Sequence, residues 1–160
     1  MANGVLIIGE FADGAIAGVT GELLGVGRKL ADSLGEELTA VFIGDGIAND
    51  AGGAFTMGAD KVYAVDDPLL KLYQSESYAA VAEKMLRDLE PNIVVMGTST
   101  MGRDLAPKLA CRLETGLAMD CLELNAVTET KGLIANRPVF GGKAMAEVDC
   151  GSIRPAMATV

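Results

Sequence analysis

The residues whose types and spacing most suggest chemistry run from Gly97 to Asp104, as Gly97-Thr98-Ser99-Thr100-Met101-Gly102-Arg103-Asp104. They follow the apolar run Ile93-Val94-Val95-Met96 and precede a helical pattern, so they sit where a strand ends and a helix opens. Glycines there let backbone N–H groups approach an anion, and a helix amino terminus favours negative charge. Thr98, Ser99 and Thr100 add hydroxyl donors. The spacing falls short of a phosphate loop, G-x-x-x-x-G-K-[ST]: Arg103 replaces the lysine, and Asp104 replaces the hydroxyl that would hold magnesium. An aspartate beside a triphosphate repels it. Two readings stay open. One is a nucleotide-type loop without NTPase chemistry. The other is a Gly/Ser/Thr turn capping a helix, with Arg103 and Asp104 paired or turned to a partner.

Two other loops belong to the same argument. Gly9-Glu10 follows the apolar run Val5 to Ile8, and Gly44-Asp45-Gly46 follows Leu38 to Ile43. An acidic residue there can contact a ribose hydroxyl in doubly wound folds; the plain alternative is a turn. The candidate crevice therefore comprises Gly9, Asp45, Gly97, Thr98, Ser99, Gly102, Arg103 and Asp104, and AMP or another adenine nucleotide is the ligand it would take. Gly25-Val26-Gly27 begins like a dinucleotide fingerprint, but Leu30 holds the third glycine position. Close packing of a helix on a sheet explains these glycines better.

The elements that must position these loops read as alternating strands and helices. Strands are expected at Val5–Ile8, Leu38–Ile43, Lys61–Val65 and Ile93–Met96, the apolar ones as buried central strands. Helices are expected over about 21–34, capped by Thr20 and stopped by Gly35, and from Ser77, as cap, to Leu89 before Pro91. A weaker helix is expected over 49–55 and another over 103–113. This pattern predicts a doubly wound, mainly parallel α/β sheet with helices on both faces and a 3-2-1-4-5 core. Leu117–Val127, Leu133–Asn136 and Lys143–Val148, joined by turns at Lys131-Gly132 and Gly141-Gly142, read as an antiparallel appendage formed by the last forty or so residues. The 160 residues suggest one domain. The chain stops inside an extended apolar segment, Ala158-Thr159-Val160, as though the natural polypeptide continues.

Composition prunes the function classes. There is no histidine, which removes the usual general base, the Ser-His and Cys-His pairs and the commonest metal ligand. A nucleophilic Cys111 or Cys121 would have no histidine to activate it. Cys111, Cys121 and Cys150 are odd in number, without a CxxC pair, and read as small reduced residues in a cytoplasmic or organelle-matrix setting. A net charge of −9 speaks against nucleic acid and against anionic membranes. The start, Met1 to Ile8, lacks the charge and length of a signal peptide, and no apolar run reaches the length of a membrane span.

A series of short stretches carries a family resemblance. These are Gly58-Ala59-Asp60-Lys61-Val62 with Asp66-Asp67-Pro68, Gly102-Arg103-Asp104-Leu105-Ala106-Pro107, Thr115-Gly116-Leu117-Ala118-Met119-Asp120-Cys121, Arg137-Pro138-Val139-Phe140-Gly141-Gly142 and Arg154-Pro155-Ala156-Met157-Ala158-Thr159-Val160. In order and spacing they resemble the amino-terminal domain of electron transfer flavoprotein alpha subunits, across nearly the whole chain. The resemblance implies an adenine nucleotide alpha hydrolase-like fold serving as a scaffold that faces a beta subunit. The complex would carry electrons between acyl-CoA or other flavin dehydrogenases and a quinone oxidoreductase or similar acceptor. It would work in bacterial cytoplasm or, in a eukaryote, in the mitochondrial matrix. FAD would be held mostly by a second, carboxy-terminal domain that this sequence does not contain. The chain itself would be no enzyme. The other reading is a free-standing adenine-nucleotide-binding module similar to universal stress proteins.

Overall fold

The computed structural model describes residues 2–160. In chain order the elements are β1 (Val5–Gly9), β2 (Phe11–Ala12), β3 (Ala15–Ile16), α1 (Gly18–Leu34), β4 (Leu38–Gly44), α2 (Gly53–Thr56), β5 (Lys61–Asp66), α3 (Ser75–Leu89), β6 (Ile93–Met96), α4 (Thr100–Arg112), β7 (Leu117–Ala118), β8 (Glu123–Val127), β9 (Gly132–Val139), β10 (Ala144–Asp149) and β11 (Ala156–Thr159). A six-stranded sheet runs β5-β4-β1-β6-β11-β7, with every pairing parallel. The apolar runs are central strands because both faces are covered. Val5 and Ile7 pack beneath α1, while Leu6 and Ile8 join the core under α3 and α4.

The expected architecture is present, with two rearrangements inside it. Leu117–Val127 is not one strand. It breaks at Asp120, where φ is positive, into β7 in the parallel sheet and β8 in an antiparallel sheet ordered β10-β9-β8. The last residues do not belong to the appendage: β11 enters the core between β6 and β7 and takes the fifth place. Ala156, Met157, Ala158 and Thr159 are all buried there, which suits their small or unbranched side chains. The appendage lies on the α1 side, with Leu133 and Ala135 of β9 fully buried in the same cluster as Leu24 and Leu30.

Helix starts also differ from the sequence reading. Helix α1 begins at Gly18 after Ala17, without a side-chain cap. Thr20 lies inside it, fully buried, and its hydroxyl bonds the backbone N–H and C=O of Glu10 instead. Helix α3 begins at Ser75, so Ser77 is within its first turn rather than at the cap. Of the α1 glycines only Gly27 is at a close approach: a Cβ there would stand 2.7 Å from a Leu38 methyl, whereas Gly21 and Gly25 face open space. Gly25→Ala is therefore expected to stabilise the protein by about 0.5–1 kcal/mol, since it removes chain entropy from the unfolded state without a clash. A urea melt against the parent chain measures this.

The end of the sheet where the strands begin is tied by a polar network. The Glu36 carboxylate, with a side chain only 3% exposed, accepts from Gly4 N–H at 2.7 Å, from the Asn92 amide and from Lys131 in the turn between β8 and β9. Arg154 donates to the Asn92 side chain and to the carbonyls of Thr130, Lys131 and Gly151. The two sets pin the appendage to the core. Burial alone would raise the Glu36 pKa, but Lys131, the Gly4 N–H and Asn92 together outweigh it and hold the carboxyl below its ordinary value. The folded pKa is thus below the unfolded one. Its stabilisation is complete above the unfolded value and is lost as pH falls through the folded value. Glu36→Gln is expected to cost about 2 kcal/mol at pH 7 and to flatten the acid limb of a stability–pH profile.

Candidate functional site: the crevice at the carboxyl ends of the strands

Strand order reverses between β1 and β6, so the loops leaving them diverge and open a crevice. It measures ≈ 310 Å³ and is lined by Gly9, Glu10, Gly44, Asp45, Tyr73 and Met101, among others. Each wall has a packing cause. Gly9 admits no side chain, because a Cβ would stand 2.4 Å from the Phe42 ring. Gly97 likewise would meet Val19 at 2.8 Å. At Gly102 the restriction is from backbone: a Cβ would lie 1.8 Å from the Gly97 carbonyl oxygen. The first turn of α4 therefore sits directly on the end of β6.

Ser99 caps that helix by accepting from Gly102 N–H at 3.0 Å. Its hydroxyl then donates to Glu10 Oε1 at 2.5 Å. The Glu10 backbone is itself clamped by the Thr20 hydroxyl. A carboxylate of the chain thus stands at the amino terminus of α4, where a phosphate-binding loop would place its ligand. The pyrophosphate of FAD and the phosphate of AMP do not fit beside it, because like charges would meet at close range.

The other candidate residues turn away from this point. Thr98 N–H donates to the Val160 carbonyl and its hydroxyl to Thr159, toward β11. Arg103 reaches Asp120 at 3.2 Å. Asp104 accepts the Tyr73 hydroxyl at 2.5 Å, on the opposite side. Asp45 is exposed on the rim, and its turn is held by Asp66, which accepts from Gly46 and Ala48 N–H. The structure therefore brings Gly9, Gly97, Ser99 and Gly102 together around Glu10, and spreads Thr98, Arg103, Asp104 and Asp45 to separate contacts.

Glu10, a possible ribose contact in the sequence reading, bonds Ser99 instead, and the contacts of Tyr73 and Asp120 carry no sequence signal. Nothing in local spacing could place them, since their partners lie 89, 31 and 17 positions away. Removal from water, then the bond to Asp104, raises the Tyr73 pKa to about 12. The same bond holds the Asp104 carboxyl below its ordinary value. A folded pKa above the unfolded one means stabilisation complete below pH about 10 and lost as pH rises through about 12. Ultraviolet titration of Asp104→Asn should show one tyrosine returning toward pH 10.

Burial pushes the Cys121 and Cys150 thiols up, away from the reactive thiolate form. Among the described residues no group of His, Cys, Asp and Glu is placed to hold a metal ion. Among the described residues no helix is long and apolar enough to cross a membrane.

Fold and crevice together define a doubly wound α/β domain that carries its own glutamate at the head of α4. The chain belongs to the electron transfer flavoprotein family: the model of the electron transfer flavoprotein domain matches residues 5–160. It is 41% identical over 158 residues to an electron transfer flavoprotein subunit alpha of Clostridium acetobutylicum, covering 99% of this chain and 47% of that protein. It is 43% identical to a protein FixB of Rhizobium meliloti, covering 94% and 44%. To the LctC subunit of a lactate dehydrogenase (NAD(+),ferredoxin) of Acetobacterium woodii it is 36% identical, covering 99% and 38%. The chain spans about half the length, or less, of these curated relatives.

The motifs that carry the resemblance prove to be structural joints. Asp60 bonds Arg28 and Leu38 N–H. Thr115 donates to the Pro155 carbonyl, and Asp120 and Cys121 N–H groups bond Thr159. Phe140, Gly141 and Gly142 form the positive-φ turn between β9 and β10.

Proposed function

We propose that residues 1–160 form a single domain, the amino-terminal unit of a longer two-domain subunit, and serve as the docking scaffold of a flavin electron carrier. Its partner is an electron transfer flavoprotein beta subunit. The assembled carrier takes electrons from flavin dehydrogenases and passes them to a membrane quinone oxidoreductase or a similar acceptor. The observation that carries this reading is the collinear similarity to alpha subunits over 99% of the chain. FAD belongs to polypeptide outside these residues, and the domain performs no catalysis of its own. The Glu10 carboxylate at the head of α4 supports that part of the reading, because it leaves the crevice without a phosphate position. The same contact speaks against an adenine-nucleotide module. The crevice residues Gly9, Gly97, Ser99 and Gly102 then serve packing, and Arg103 and Asp104 serve as ties to neighbouring loops.

The test is co-expression with an electron transfer flavoprotein beta subunit, followed by gel filtration, flavin analysis and calorimetry with AMP. Co-migration with the beta subunit, and an isolated domain that is colourless and silent to AMP, is the expected result. Stoichiometric flavin or micromolar AMP binding in the isolated domain would overturn it.

A further inference from the structure

Phe55, Met57, Tyr63, Leu69 and Leu72 are large apolar side chains facing solvent, Leu69 at 84% exposure, and they lie on or just after α2 and β5. Strand β5 is the outermost strand of the sheet. Its extended backbone continues through Asp67, at φ −148° and ψ 135°. The Asp67 N–H bonds the Gly44 carbonyl. By alternation the peptide groups of Val62, Ala64 and Asp66 point outward, away from β4. Edge strands in natural proteins are blunted by proline, bulges or central charges. Here the middle of the strand, Val62 to Val65, carries no charge and no proline.

We propose that β5 pairs antiparallel with β5 of a second copy of this chain, about a two-fold axis through Ala64. The residue pattern is complementary to itself in that register. Ala64 faces Ala64 of the other copy as a hydrogen-bonded pair, and Val62 and Asp66 exchange the remaining outward peptide groups. Tyr63 stands opposite Val65 at the closer, non-hydrogen-bonded spacing, an aromatic–β-branched pair of the kind that favours sheet pairing. Lys61 stands opposite Asp67, so opposite charges close both ends of the ribbon. Asp66 does not obstruct it, because its carboxylate is turned onto the Gly46 and Ala48 N–H groups of its own copy. Lys61 leans on Glu37 at 2.6 Å but remains half exposed, with ammonium donors to spare. The inference does not rest on the docking role proposed above.

Sedimentation velocity of the chain, from about 5 to about 500 μM and near 0.15 M salt, where long-range repulsion is screened, tests it. A concentration-dependent dimer is expected. Ala64→Glu places two carboxylates opposite each other at the axis, and should weaken the dimer about tenfold or more. Ala64→Lys should do the same. Because Ala64 is exposed, both variants keep the fold, which circular dichroism checks. Mixing the two variants should restore association, since opposite charges then meet at the axis. A monomer at every concentration would overturn the proposal. So would a dimer indifferent to Ala64→Glu, or a mixture that fails to associate.

Discussion

Gly102→Ala is expected to lower stability by about 3 kcal/mol or more and the melting temperature by about 10 °C. The added methyl would lie 1.8 Å from the Gly97 carbonyl oxygen, and neither atom belongs to a flexible side chain. Relief requires moving the first turn of α4 away from β6. That movement would also stretch the Ser99 cap and its bond to Glu10. The loss therefore exceeds the helix-propensity gain of about 1 kcal/mol that alanine normally brings. Gly116→Ala is the matched control, because a Cβ there meets nothing within 4 Å. Chemical denaturation of both variants gives the comparison. A Gly102→Ala protein as stable as the parent would mean that α4 does not sit on the strand end as described, and the account of the crevice would fall with it.

Leu133→Ala is expected to cost about 3 kcal/mol, near the middle of the range for a leucine removed from a core. Leu133 is fully buried although its strand belongs to the appendage. It packs with Ala135 into the cluster that contains Leu24 and Leu30, and Leu124, Ala126 and Val148 flank the same seam. The side chain therefore joins two sheets that share no ladder. The loss should appear first as local opening: faster proteolysis and hydrogen exchange across residues 123–149, ahead of global unfolding. Met145→Ala, on the exposed side of β10, should change stability by no more than about 0.5 kcal/mol. An appendage that stays fully protected in Leu133→Ala would show that the Glu36 and Arg154 network alone anchors it.

Much of the fold was legible in the sequence because it rests on local signals. Val5–Ile8 and Ile93–Met96 are continuous apolar runs between turn residues, and Leu38–Ile43 is broken only by Thr39, the pattern of strands covered on both faces. The face of α3, with Tyr78, Ala82 and Leu86 buried, follows from helical spacing. Gly35 ends α1 in the left-handed conformation that its lack of a Cβ permits. The caps were less legible. Thr20 and Ser77 have the right chemistry for a cap, but Thr20 bonds the Glu10 backbone just after β1, and a helix accepts its first residue wherever packing favours it.

The sequence by itself determined an α/β alternation, a crevice built from the loops after β1, β4 and β6, and a run of motifs that marks the electron transfer flavoprotein family. Only the tertiary structure decided which strand fills the fifth place and what occupies the head of α4. The short run Ala156–Thr159 carries no signal that separates a core strand from an appendage strand; its place is set by burial between β6 and β7. Glu10 and Ser99 lie 89 residues apart, so no local pattern connects them. The reason is the same in both cases: periodicity and turn chemistry act over a few residues, whereas pairing and charge compensation act between residues that folding alone brings into contact.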